Sequence, residues 1–173
     1  MTQVLLLGDS HIAHFYWQSR MPSYKVTNCG VPEATAADLL ASLSNIKQEV
    51  AHADVIMIMV GTNDVLSGNL EFISTLKKIL VQLNHDFPTA EVLVNSLFPM
   101  HLAELPQYTI TNLNSHIEAF AMQTGCCFLD TYQRFSTTDQ PVFLEDGIHI
   151  TEAAYELWAR ALLEHIAFLI END

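Results

Sequence analysis

Along the chain, short runs rich in apolar residues alternate with longer stretches in which apolar residues recur every three or four. VLLL (4–7), YKVTN (24–28), DVIMIMV (54–60), EVLVNSL (91–97) and CCFLD (126–130) are of the first kind and read as strands. A run such as VIMIMV has no polar face, so both of its sides must be covered, as in parallel sheets. Leu39, Leu43, Ile46 and Val50 are of the second kind, as are Ile73, Leu76, Leu80 and Leu83, and Ile110, Leu113, Ile117 and Phe120. Tyr155, Trp158, Leu162, Ile166 and Leu169 make the longest stripe. Each stripe is the apolar face of a helix laid on a flat surface. A shorter helix is expected after Ser10, from about Ile12 to Ser19.

Repeated strand–helix units call for right-handed crossovers, a parallel sheet and helices on both faces. The pattern therefore predicts one α/β domain over residues 1–173. Its sheet is expected to be flavodoxin-like and five-stranded, in the order 2-1-3-4-5.

Composition narrows the class further. Half the residues are apolar, which excludes a disordered chain. Seven basic against 20 acidic residues give a net charge of −13, which repels phosphate backbones and anionic lipid. Nucleic acid is therefore not an expected partner. No stretch approaches the roughly 20 apolar residues of a membrane span, and VLLL is too short for a secretory signal. Membrane insertion is not expected. Cys29, Cys126 and Cys127 are odd in number and lack metal-ligand spacing. They read as free thiols in a reducing cytoplasm, with no metal and no cofactor implied. The sequence does not fix an oligomeric state.

In such a sheet, ligands bind beyond the carboxyl ends of the strands. Gly8-Asp9-Ser10-His11 follows the first strand, Asn28-Cys29-Gly30 ends the second, and Gly61-Thr62-Asn63-Asp64 follows the third. Asp146-Gly147-Ile148-His149 stands just before the last helix. Four distant segments should meet on one rim, and together they hold the parts for acyl transfer. A serine hydroxyl needs a base, and the base needs a carboxylate to fix its tautomer. Asp146 and His149, three apart around a glycine, can pair within one loop and leave a ring nitrogen for Ser10. The backbone N–H of Ser10, the backbone N–H of Gly30 and the side-chain amide of Asn63 are candidate oxyanion donors. Gly30 has no side chain to keep a ligand from its backbone.

The four blocks GDS (8–10), N-x-G (28–30), GTND (61–64) and D-x-x-H (146–149) occur in the order found in the SGNH hydrolases, also called the GDSL esterase/lipase family, which the chain resembles. The resemblance implies a three-layer α/β/α sandwich. It makes Ser10 the nucleophile, His149 the general base and then acid, and Asp146 its orienting carboxylate. The Ser10 amide, Gly30 and Asn63 would form the oxyanion hole. The implied substrate is a small-molecule ester or thioester, with lysophospholipase-, thioesterase- or carbohydrate O-acetyl esterase-like activity all open, usually without a metal. Two positions depart from the family pattern. Glu33 stands near a usual glycine, and Ile150 follows the last block where proline is common.

Plainer roles remain for several of these residues. Ser10 also fits a helix N-cap, and Asn63 fits a turn. Asp9 and Asp64 are expected to bond local backbone. His11 and His14 are read as surface histidines or as standing behind the site, and Cys29 as structural. His101, after the fourth strand, should overhang the site. Phe98, Met100, Phe143, Leu144 and Ile148 are the apolar residues expected nearby. A catalytically silent binding module of the same fold is the alternative from another class. A nucleotide- or flavin-binding protein fits less well, because the loop after the first strand has one glycine and no lysine.

Overall fold

The computed structural model describes residues 1–171. Five parallel strands form a single sheet in the order β2-β1-β3-β4-β5. They are β1 (Gln3–Gly8), β2 (Lys25–Gly30), β3 (Val55–Met59), β4 (Glu91–Asn95) and β5 (Cys127–Leu129). All five residues of β3 are buried, as an all-apolar central strand requires. β2, at one edge, is half-covered and carries Lys25, Thr27 and Asn28.

The chain moves outward from β1 to β2, then back across β1 to β3. Right-handed crossovers place the helices of these two steps on opposite faces. After β2 come α3 (Ala36–Glu49), then α5 (Phe72–Asp86) and α6 (Tyr108–Gln123), with α3 on α5 and α5 on α6. The other layer is α1 (Ser10–Ala13), α2 (Trp17–Arg20), α7 (Thr131–Thr137) and α8 (Glu152–Glu171), with α2 and α7 packed on α8. α4 (Thr62–Leu66) is a single turn at the end of β3. This is the predicted three-layer α/β/α arrangement.

The helix expected over 12–19 is instead two short helices with a break at 14–16. The carbonyls that would continue α1 are taken by side chains. Trp17 Nε1 donates to the Ile12 carbonyl at 2.9 Å, and Asn28 Nδ2 donates to the same carbonyl at 3.1 Å. A helix whose last carbonyls are satisfied from outside has no need of another turn.

Beneath α1 lies an aromatic pillar. Trp17 meets Trp158 edge-on at 4.8 Å, Trp158 meets Phe98 at 4.9 Å, and Phe15 stacks on Tyr155 at 4.6 Å. Edge-to-face pairs of this kind contribute about 0.5–1.5 kcal/mol each beyond their buried area.

Candidate active site

Register brings the polar blocks to one level. Gly8, the last residue of β1, is opposite Gly30 on one side and Met59 on the other. Ser10 and Gly61 each lie two residues beyond that line, and Asn63 is the second residue of α4. Gly8 is obligatory, because a Cβ there would lie 2.1 Å from the Met59 carbonyl oxygen. The chain then turns abruptly into α1. Asp9 caps that helix, its Oδ1 accepting from the His11 amide at 3.0 Å, and Ser10 occupies the first helical position. The N-cap is therefore Asp9, which leaves the Ser10 hydroxyl free of that duty.

Asp146 and His149 pair within a tight turn, His149 Nδ1 donating to Asp146 Oδ2. The second oxygen, Oδ1, accepts from the Ile148 and His149 amides, both at 2.9 Å. These bonds hold the Asp146 carboxyl down at about 2, the imidazole contact first among them. Gly147 makes the turn possible with a φ of 72°. His149 stands over α1, its ring centroid 6.1 Å from those of both His11 and His14. With Nδ1 committed to Asp146, Nε2 is the nitrogen left for a proton from Ser10. Among the described residues no hydrogen bond to Ser10 Oγ is formed, and such serine–histidine bonds often tighten only with substrate present.

The three candidate oxyanion donors differ in their readiness. Asn63 Nδ2 donates one hydrogen to the Ala34 carbonyl at 3.0 Å and keeps a second. The Gly30 amide donates to Asn28 Oδ1 at 2.9 Å. Gly30 is required for a reason other than ligand access, since a Cβ there would lie 2.5 Å from the Ala13 nitrogen of α1. Helix packing, rather than an empty space, occupies that position.

Asp9 and Asp64 bond backbone, as expected. Asp64 Oδ2 accepts from the Ala36 amide at 3.0 Å, tying α4 to the start of α3. Of the two places expected for His11, it takes the one behind the site rather than the surface. It is 1% exposed, edge-on to Phe98 at 4.9 Å, with Nε2 2.8 Å from the Ile148 carbonyl. Burial pushes its imidazole down to about 4 and pushes the neighbouring Asp9 carboxyl up to about 7. His14 is exposed beside His149. Burial raises the Cys29 thiol, which disfavours the thiolate.

Of the apolar residues expected nearby, Met100 and Phe143 line a pocket of about 870 Å³, with His101, Leu105, Tyr132 and Phe135 among its other walls. Phe98 is fully buried under His11, and Leu144 is 52% exposed. Phe143 pairs with Ile150 across the turn that carries Asp146 and His149, so the pocket and the candidate triad share a wall.

The profile of the GDSL-like Lipase/Acylhydrolase family matches residues 6–157. The chain belongs to this family. The GDSL fold is seen again in solved structures. A GDSL-like lipase from Bacteroides thetaiotaomicron is 20% identical, with a TM-score of 0.77 over 97% of this chain and 89% of that one. A lipase/acylhydrolase from Enterococcus faecalis is 20% identical, with a TM-score of 0.79 over 96% and 95%. An acetylxylan esterase from Geobacillus stearothermophilus is 19% identical, with a TM-score of 0.75 over 95% and 94%. Comparison with curated protein sequences gives no match. No helix among the described residues of this GDSL-family chain is long and apolar enough to cross a membrane.

Proposed function

We propose that the protein is a serine carboxylic-ester hydrolase that works through an acyl-enzyme. The observation that carries this reading is His149, held by Asp146 through Nδ1 and poised over the helix that begins at Ser10. Ser10 Oγ attacks the ester carbonyl as His149 Nε2 takes its proton. Negative charge develops on the carbonyl oxygen at the start of α1, where the Ser10 amide and the second Asn63 amide hydrogen can meet it. The Gly30 amide joins them by turning from Asn28 Oδ1 toward the oxyanion. His149 then protonates the departing alcohol or thiol. Water, deprotonated by the same nitrogen, releases the acid and restores Ser10.

Asp146 and His149 are each 44% exposed, so the leaving group faces solvent. That suits a small ester or thioester with a short or medium acyl chain, its acyl part directed to the pocket behind Phe143. Carbohydrate O-acetyl ester hydrolysis is the second reading, favoured by the same exposure and by the likeness to an acetylxylan esterase. The free thiols of Cys29, Cys126 and Cys127 support a place in the reducing cytoplasm.

The test is hydrolysis of p-nitrophenyl esters from acetate to long acyl chains by wild type and Ser10→Ala. Ser10→Ala is expected to lose on the order of 10³-fold or more in kcat. A peak at acetate alone favours the deacetylase, and a peak at longer chains favours an acyl-chain hydrolase. Full activity in Ser10→Ala, or no covalent labelling of Ser10 by a fluorophosphonate, would overturn the mechanism and favour a silent binding module.

A further inference from the structure

The turn that carries Asp146 and His149 lies outside the sheet, and its internal bonds do not say where it sits. Asp146 Oδ1 gathers the Ile148 and His149 amides, and the Leu144 amide donates to the His149 carbonyl at 2.8 Å. These bonds shape the turn, but none of them ties it to α1. His11 does. Its Nε2, 2.8 Å from the Ile148 carbonyl, donates across 137 residues of sequence. That carbonyl belongs to the peptide bond joining Ile148 to His149, so the contact orients the plane from which the His149 side chain departs.

His11 is itself immobilised on three sides. Its amide donates to Asp9 Oδ1 at 3.0 Å, its carbonyl accepts from the Tyr155 hydroxyl at 2.7 Å, and its ring is packed edge-on against Phe98. It is also the residue next to Ser10. One rigid side chain therefore links the helix of the nucleophile to the loop of the base.

We infer that His11 is a positioning residue, whose hydrogen bond to the Ile148 carbonyl holds His149 within proton-transfer reach of Ser10. The inference rests on the proposed roles of Ser10 and His149. It gives the histidine after the GDS block a purpose that a merely apolar neighbour could not serve. A bond lost here displaces the base, and misplacement of about 1 Å costs on the order of 100-fold in rate.

The experiment compares His11→Gln with His11→Met on a p-nitrophenyl ester. The two side chains match in length and flexibility, but only glutamine can donate to the carbonyl. His11→Met is expected to lower kcat about 10- to 100-fold with KM little changed. His11→Gln should restore most of that loss, and labelling of Ser10 by a fluorophosphonate should slow and recover in parallel. Equal kcat in the two variants would overturn the inference, because packing alone would then explain the residue. Activity that survives Ser10→Ala would instead overturn the assignment of the nucleophile. Wild-type protein supplies a readout that does not depend on either variant folding. Imidazole nitrogen spectra should show His11 as the Nε2–H tautomer with a slowly exchanging proton, and an Nδ1–H tautomer would refute the tether.

Discussion

Asp9 and His11 are adjacent buried groups pushed in opposite directions. Burial raises the Asp9 carboxyl from 3.8 to about 7 and lowers the His11 imidazole from 6.5 to about 4. Both shifts favour the neutral form, as desolvation must. Between pH 4 and 7 native Asp9 keeps a proton that the unfolded chain has released, so its contribution makes stability fall as pH rises. Between pH 4 and 6.5 the unfolded chain protonates His11 while the native state does not, so stability rises with pH. The two slopes oppose each other in wild type. Asp9→Asn should leave the rising one, so that urea midpoints climb from pH 4 to 6.5. A profile parallel to that of wild type would refute the pairing. Glu33 offers a second test, because its φ of 67° is a conformation that suits glycine. Glu33→Gly should raise stability by about 0.5–1 kcal/mol, the relieved strain exceeding the added unfolded-state entropy. Denaturant midpoints would show it. The sequence places Glu33 near a usual glycine of the family, and the structure keeps the glycine-like backbone without the glycine. The Asp146–His149 pair was legible because a carboxylate and an imidazole three apart around a glycine can close on each other within one turn. The burial of His11 was not, because it depends on Ile148 and Tyr155, which only the fold brings near.

α1 has four residues, far below the length at which a helix stands alone. Its geometry is imposed from outside, by Asp9 at its start and by Trp17, Asn28 and Tyr155 at its carbonyls. Tyr155→Phe should therefore cost about 1–2 kcal/mol, since it removes only the hydroxyl and leaves the buried His11 carbonyl without that donor. Urea denaturation would measure the loss, and an unchanged midpoint would show that α1 is held by its other anchors alone. β1, β3 and β4 were legible from their apolar runs, because strands covered on both faces tolerate little else. The break between α1 and α2 was hidden, because apolar residues continue through it at helical spacing while the carbonyls go to side chains. α4 and α7, of five and seven residues, are too short to display a period.

The whole molecule carries a net charge of −13, a field that an approaching anion must climb. For an anionic ester, kcat/KM should rise with ionic strength, while a neutral ester should show little change. Equal salt responses for the two substrates would mean that the rim is locally shielded from this field. The strand order was legible at this scale because crossover handedness leaves few topologies, whereas the pocket behind Phe143 was not, since its walls come from three separate segments. The tether between His11 and Ile148 also spans 137 residues. A ribosome releases Ser10 early and His149 late, after every strand of the sheet has been made. On the mechanism proposed above, a nascent or truncated chain that ends before residue 146 carries Ser10 without the Asp146–His149 pair, so hydrolysis would begin only once synthesis has passed residue 149.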